Sequence, residues 1–518
     1  MALHIAHWLA RGETVSPLEP SEAMELAKRG TINAGVIFFF AAVVLTAIFG
    51  RFFCGWGCHL VALQDLSRWL LEKAGIRPVP LRSRLLLWVP SLAFAYMYFW
   101  PMVARQLAGL GWPSLQLELT TRDFWAPFPD WPVALATFLA CGFLAVYLLG
   151  AKGFCTYACP YGAVFAWADR FSRRRIVVSP ACEGSGHCTA VCTSNVRVHE
   201  EIARYGQVVD PGCMKCLDCV SVCPNQALSY GPGFSFRSAL KQAGRGKPPR
   251  SGSSPLPWYE ELVLAGGFAA TFFPLRGLYG IFPFLYSLGL GACGAYLALV
   301  TFLLLSARHL KMRQFQLKLH GHVQTAGYAF LGISLLWAGF LLHSGAVQSQ
   351  LLWGGWLELR ARSVTDQSAE AVRAQARQAL ERAHRWALLP QPGLVPALAR
   401  LATAQGDSSA LSRALAMAAE ERQRLPGDFA AVAEIAIAAW REAGELEAAR
   451  RVAELWTTAQ PNAPRAHVYR IALDLELGQT SRAREAWNEA ERVLGPRFPE
   501  ELRALPRPLE ALPPGPSP

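Results

Sequence analysis

Seven of the thirteen cysteines fall between Cys182 and Cys223, and their spacing limits the possible fold more than any other feature of the chain. The second half of this stretch reads Cys213-x2-Cys216-x2-Cys219-x3-Cys223-Pro224, the spacing by which short loops present four thiolates to iron–sulfur clusters. In the first half Cys182, Cys188 and Cys192 hold the first, third and fourth positions of the same run, and Ser185 stands at the second. In paired runs the fourth cysteine ligates the other cluster. One [4Fe-4S] cluster is therefore expected on Cys192, Cys213, Cys216 and Cys219, and a second on Cys182, Cys188 and Cys223. With three thiolates the second site can take a [3Fe-4S] cluster, or a [4Fe-4S] cluster with Ser185 or solvent on one iron. His187 is adjacent, but its place next to a ligand disfavours it as a further ligand.

The rest of the chain is largely apolar. With 52% hydrophobic residues in 518, it reads as a membrane protein with soluble parts. Six stretches are long enough to cross about 30 Å of hydrocarbon: 32–50, 85–103, 132–150, 262–280, 282–306 and 325–347. Pro274 and Arg276 interrupt the fourth, which leaves a re-entrant segment as its alternative. Lys and Arg concentrate after the first span (Arg51, Arg68, Lys73), after the third (Lys152, Arg170, Arg173) and after the fifth (Arg308, Lys311, Arg313), so these segments are expected in the cytoplasm. Both termini then lie outside the cytoplasm. The +12 net charge arises almost wholly before residue 348. It reports topology, and no nucleic-acid partner is expected. No cleavable signal is read at the start.

The first and third spans end alike, in GRFFCGWGCHL and GAKGFCTYACPYG. Each carries Cys-x3-Cys, Cys54/Cys58 and Cys155/Cys159, and two spans apart both pairs emerge on one membrane face. Cysteines at i and i+4 of a helical turn face the same way. Four thiols can therefore converge on a further metal, cluster or redox site beside the 182–224 segment. Span, FCGWGCH, two further spans, FCTYACPYGA and then a two-cluster segment: this order resembles the membrane-bound polyferredoxins of the NapH/NosR/CcoG type over about residues 32–230. The resemblance implies a redox protein that moves electrons between the quinone pool or cytoplasmic donors and respiratory metalloenzymes, or assists their maturation. His59 in place of proline, Ser185 in place of cysteine and the lack of a flavin-binding domain depart from that group.

A Gly/Pro/Ser/Lys-rich stretch then returns the chain to the membrane as a flexible linker. His309, His320 and His322 lie in a basic loop. His322 and His343 are about 31 Å apart along a helix at 1.5 Å per residue, too far to share one haem, and haem is not expected. Pro392, Pro426, Pro461 and Pro496 recur at intervals of 34, 35 and 35 residues, a period that resembles the tetratricopeptide repeat.

The expected organisation is therefore mainly α: an interfacial helix (1–30), a membrane domain with spans one to three (31–175) and a small α+β ferredoxin-like insertion (176–231). A linker (232–257), three more spans (258–347), helical repeats offering a face to a protein partner (348–505) and a disordered tail (506–518) follow. No nucleophile or acid/base pair stands out. An electron-transfer subunit working with membrane redox subunits, with quinone as a possible partner, fits better than a stand-alone enzyme. The alternative is an assembly factor, a metal reductase or chaperone whose four Cys-x3-Cys thiols handle copper or iron. Cys216→Ala is expected to abolish the intact cluster; a full iron–sulfur spectrum in that variant would refute the ligand assignment.

Overall fold

The structure, a computed structural model, describes residues 2–107, 111–121, 130–236, 238–239, 256–363 and 368–495. Most of the expected linker, the expected disordered tail and Pro496 lie outside the described residues. The chain forms two compact units, residues 1–276 with 282–341, and residues 277–281 with 342–518.

In the first unit, helix α1 (Ala34–Phe49) opens on Asn33, whose side chain accepts the Val36 N–H at 2.8 Å. It stops at Gly50 (φ 80°), where a Cβ would meet Lys215 Cε at 2.8 Å and Asp169 Oδ1 at 2.9 Å. A one-turn helix, α2 (Phe52–Trp56), and a 15-residue helix, α3 (His59–Lys73), follow. After α4 (Val89–Leu107) and α5 (Trp131–Leu149, with a π turn at Leu139–Leu144) the pattern repeats. Gly150 (φ 103°) ends α5 against Pro80, and α6 (Gly153–Tyr157) and α7 (Pro160–Asp169) follow. Only a residue without Cβ tolerates both the backbone angle and the contact at these two corners.

Among the described residues, four segments are long and apolar enough to cross a membrane: Leu86–Val103, Trp131–Leu149, Phe284–Ser306 and Thr325–Ala361. This differs from the six expected. The first expected span, 32–50, is the 16 residues of α1 between the Asn33 cap and Gly50, because Thr31–Ile32 is in a strand, about 24 Å at 1.5 Å per residue. The fourth appears as a helix with Glu260 and Glu261 in its first turn and Pro274 in its last.

Both short helices share faces with the longer ones. After α8 (Val198–Tyr205) comes α9 (Trp258–Leu275), whose buried Glu261 accepts from Ser83 Oγ at 2.5 Å and from Arg84 N at 2.9 Å, just ahead of the Leu86–Val103 segment. Leu81 N donates to Leu149 O at 3.0 Å, and Arg313 donates to the carbonyls of Val79, Tyr147 and Leu148, so these ends gather on one face. At the other face Thr31–Ile32 pairs in parallel with Gln116–Leu117, and Thr14–Val15 pairs antiparallel with Thr120–Thr121.

Helices α9 and α10 (Phe284–Ser306) form an antiparallel hairpin packed through small residues. A Cβ on Gly291 would sit 2.8 Å from the Phe268 ring, and one on Gly294 would collide with Thr271. Pro274 therefore closes α9 rather than breaking it mid-membrane. The expected basic loop after α10 is instead a three-stranded meander (Leu310–Met312, Phe315–Leu319, His322–Val323), because Leu317 alternates inward against Val300, Leu304 and Phe330. There the rings of His309 and His320 touch edge to face, 4.9 Å between centroids. Helix α11 (Thr325–Ser363) has 39 residues.

Residues 174–232 close on themselves through strands β1 (Arg174–Val178) and β2 (Leu228–Pro232), paired antiparallel from Arg174↔Pro232 to Val178↔Leu228. Ile176, Val198, Ile202, Val208 and Leu228 fill the small core between them, together with Cys188 and Cys219. The second unit has its own core. Helix α12 (Ser368–Trp386) precedes three helix pairs: α13/α14 (Leu394–Ala404, Ser408–Glu421), α15/α16 (Pro426–Glu442, Leu446–Ala459) and α17/α18 (Pro464–Glu476, Thr480–Leu494). Each pair turns at a left-handed glycine, Gly406, Gly444 or Gly478. The next N–H returns to a helix carbonyl five residues back: Asp407 to Ala402, Glu445 to Trp440 and Gln479 to Asp474. Phe429, Val432 and Trp456 fill the shared core.

The hairpin makes a test. Gly294→Val forces Thr271 outward and is expected to destabilise the protein by about 1–3 kcal/mol through overpacking. A detergent melting curve with an unchanged midpoint would show that α9 and α10 do not pack as described.

Candidate iron–sulfur sites

The two Cys-x3-Cys pairs occupy equivalent corners. Cys54 and Cys155 lie in the one-turn helices α2 and α6, and Cys58 and Cys159 are the N-cap residues of α3 and α7. N–H groups of Leu60 and Val61 point at Cys58, and that of Gly162 points at Cys159, the placement in which a helix N-terminus favours a thiolate. Cys54, Cys155 and Cys159 are buried and Cys58 is half-buried. The four are near enough to perturb one another: burial, then the neighbouring thiols, pushes Cys155 up, and burial likewise pushes Cys159 up to about 12. A cationic metal centre, when bound, would take the place of thiol protons here.

Polar side chains that the sequence reading did not single out surround them. Gln64, fully buried, donates through Nε2 to Cys155 Sγ at 2.9 Å and accepts the Phe154 N–H at 3.2 Å. Lys152 (1% exposed) pairs with Asp65, and Arg51 (4% exposed) directs Nη2 to Cys54 Sγ at 3.8 Å. Both cations figured in the topology count as if they were surface charges. They are buried within the protein, where each offsets thiolate charge. The signal was present: in both repeats a basic residue stands between the glycine that ends the span and the first cysteine.

The ferredoxin-like segment repeats its own backbone. Gly184 and Gly186 flank Ser185 with positive φ, and Lys215 (φ 53°) and Leu217 (φ 71°) flank Cys216 in the same way. Three residues beyond Cys192 and Cys223, Asn195 (φ 61°) and Gln226 (φ 48°) repeat the left-handed turn. Ser185 thus holds the backbone position of Cys216. The thiols fall into two groups. Burial, then Cys213, Cys192 and Cys216 as one group and Cys188 after them, pushes the Cys219 thiol up. Cys182, Ser185, Cys188 and Cys223 line a single 330 Å³ cavity.

Cys182, Ser185 and His187 are exposed on that cavity. His199 also lines it, held by a 2.7 Å contact between its Nδ1 and Thr189 Oγ1, whose oxygen accepts the His199 N–H at 2.9 Å. Nothing in the linear spacing marks His199, because α8 delivers it from outside both runs. Among the described residues no three His, Cys, Asp or Glu side chains crowd closely enough to share a single metal ion. A cuboidal cluster takes its thiolates from farther apart.

Buried ion pairs join the two sets of thiols. Asp169, fully buried, accepts from Arg51 N at 3.0 Å and from Lys215 Nζ at 3.1 Å on one oxygen, and from Arg175 Nη1 at 2.7 Å on the other. Trp56 Nε1 donates to Lys215 O at 3.0 Å. Beside this junction an open apolar cavity of 330 Å³ is lined by Phe49, Phe52, Trp56, Lys215, Leu217 and Tyr230.

Residues 33–77 and 131–179, the stretches that carry the two Cys-x3-Cys pairs, match the family described as 4Fe-4S binding domain. Among similar proteins, the methylamine utilization ferredoxin-type protein MauN of Methylorubrum extorquens is 30% identical over 36% of this chain and 66% of its own length. The ferredoxin-type protein NapH of Haemophilus influenzae is 26% identical over 39% of this chain and 68% of its own. The putative electron transport protein YccM of Escherichia coli is 26% identical over 37% and 54%. The chain thus spans about two thirds or less of each relative's length. No solved structure matches.

The loop that leads into Cys213 titrates. Glu201 (4% exposed) accepts the N–H groups of Val209 at 2.8 Å and Asp210 at 3.0 Å, and burial, with Asp210 nearby, pushes its carboxyl up to about 7. Its folded value exceeds the unfolded one, so its contribution is complete below about 4.5 and is lost as pH rises through 7, at most about 3 kcal/mol. Hydrogen-exchange protection of residues 207–213 is expected to fall over that window, and Glu201→Gln to flatten the fall. An unchanged slope in the variant would show that another group titrates.

Proposed function

We propose that the chain is an integral-membrane iron–sulfur electron-transfer protein with three centres. Cys192, Cys213, Cys216 and Cys219 hold a [4Fe-4S] cluster. Cys182, Cys188 and Cys223 hold a second of three or four irons, with Ser185 at its open corner. Cys54, Cys58, Cys155 and Cys159 hold a third. The single observation that carries this reading is the convergence of four largely buried thiols from two equivalent corners, ringed by Gln64, Lys152 and Arg51. Arg51 Nε is buried without a hydrogen-bond partner, in the field of Cys54 and Asp169. When bound, such clusters supply reversible one-electron exchange at potentials spanning about −700 to +450 mV.

The protein's share of the work is ligation, burial and docking. The resemblance of residues 33–77 and 131–179 to a 4Fe-4S binding family supports placing a cluster on the Cys-x3-Cys corners rather than a single copper or iron ion in transit. The exposed cavity at Ser185 shares no lining residue with the one beside the junction and suits exchange with a soluble donor or acceptor. The apolar cavity at Phe49, Trp56 and Tyr230 suits a quinone ring arriving from the bilayer. In this reading the 174–232 segment lies on the cytoplasmic face of a bacterial inner membrane. Both termini lie outside, and the helix pairs, in the manner of tetratricopeptide repeats, receive a protein subunit of a redox complex.

Anaerobic purification with iron and sulfide counted on the same sample tests the proposal. About 12 irons per chain are expected, or about 11 with a three-iron centre at Ser185, with EPR signals that titrate reversibly. Cys155→Ala should lose roughly a third of the iron. Iron for two clusters only, with Cys54, Cys58, Cys155 and Cys159 loaded with another metal, would favour the assembly reading instead.

A further inference from the structure

The two equivalent corners of the four-thiol site differ in what their basic residue holds. In the second, the basic residue Lys152 pairs with Asp65 beside its own site. In the first, Arg51 reaches out: Nη1 donates to Pro211 O at 3.0 Å while Nη2 meets Cys54 Sγ at 3.8 Å, and its N–H donates to Asp169 at 3.0 Å. Pro211 lies two residues before Cys213. A Cβ on Gly55 would collide with Met214 O and come within 3.4 Å of Cys216 N. Trp56 Nε1 donates to Lys215 O at 3.0 Å. Residues 51–56 therefore lie backbone to backbone against residues 211–216, and Gly55 allows the approach.

We propose that this corner is the electronic junction between the four-thiol site and the Cys213/Cys216 loop, with Arg51 as its positioning residue. Arg51 holds a fixed positive charge against Cys54 and seats the loop on it through Pro211. The cation favours the more electron-rich state of whatever the four thiols hold, so it raises that centre's midpoint potential. The close approach at Gly55 brings the two ligand sets together, and the Ser185 cavity, none of whose lining residues belongs to this corner, is left as the exposed end. The inference rests on the proposed function and adds to it an order among the three sites.

The test uses the full-length protein, purified anaerobically, with iron counted and EPR recorded during a redox titration. Wild type is expected to show magnetic interaction between two reduced centres. Arg51→Gln should keep its iron, lower the midpoint of one centre and leave the others in place; Arg51→Lys, which retains the charge, should restore it. Gly55→Ala should keep all three centres and weaken the magnetic interaction.

Full iron with wild-type midpoints in Arg51→Gln, or an unchanged interaction in Gly55→Ala, overturns the inference while the proposed function stands. If Arg51→Gln loses iron, Gly55→Ala decides, since the cation remains; if that variant also fails, Arg51→Lys must hold iron at the wild-type midpoint or the inference falls. Iron for only two clusters in the wild type overturns the proposed function, and this inference with it.

Discussion

The structure of the first unit depends on one buried carboxylate. Asp169 ends α7, the helix that begins at Cys159, and its two oxygens take the peptide N–H of Arg51 from the first corner, the ammonium of Lys215 from the cluster loop and the guanidinium of Arg175 from β1. Three parts of the chain more than 100 residues apart at the extremes are therefore held by charges that have no access to water. Such a group adds little net stability relative to an apolar replacement, since desolvation cancels much of the attraction. What it contributes is position. An unpaired buried charge is so costly that only one arrangement of corner, loop and strand satisfies all of them.

Two internal duplications are built around that point. In the membrane unit, span, left-handed glycine, one-turn helix and capped helix occur twice, and the two copies present four thiols to one volume. In the 174–232 segment, two loops share left-handed backbone at equivalent positions, with glycines in the first and Lys215 and Leu217 in the second. Non-glycine residues in that conformation are strained, and they persist where surrounding structure over-determines them. Here the surroundings are Asp169 on Lys215 and Trp56 on the Lys215 carbonyl. The strain in the second loop is thus answered by its contact with the membrane unit. The first loop faces the exposed cavity and has glycine instead.

Much of this was legible in the residues. Cysteine spacing marked both loops and both corners, because thiols that share a cluster must come from tight turns of constrained length. Apolar runs marked the helices, though the first begins two residues later than expected, at Ala34, and the fourth runs from Trp258 to Leu275 rather than over 262–280. The 34-to-35-residue recurrence of proline marked the helix pairs, whose glycine turns repeat with the same return hydrogen bond. What escaped notice were partners from elsewhere in the chain. Gln64, Asp169 and His199 carry no spacing signal, and Arg51 and Lys152 looked like interfacial cations because burial is not a local property.

The sequence by itself determined the cysteine spacings, the helical class and the recurrence of helix pairs, since each follows from short-range chemistry: thiols per turn, apolar residues per span, glycine at a forced angle. Only the tertiary structure decided which thiols stand together, that Arg51 and Lys152 are buried, and that the first corner rather than the second meets the Cys213 loop. Those outcomes depend on long-range packing and on pairing charges out of water. No stretch of a few residues encodes that on its own.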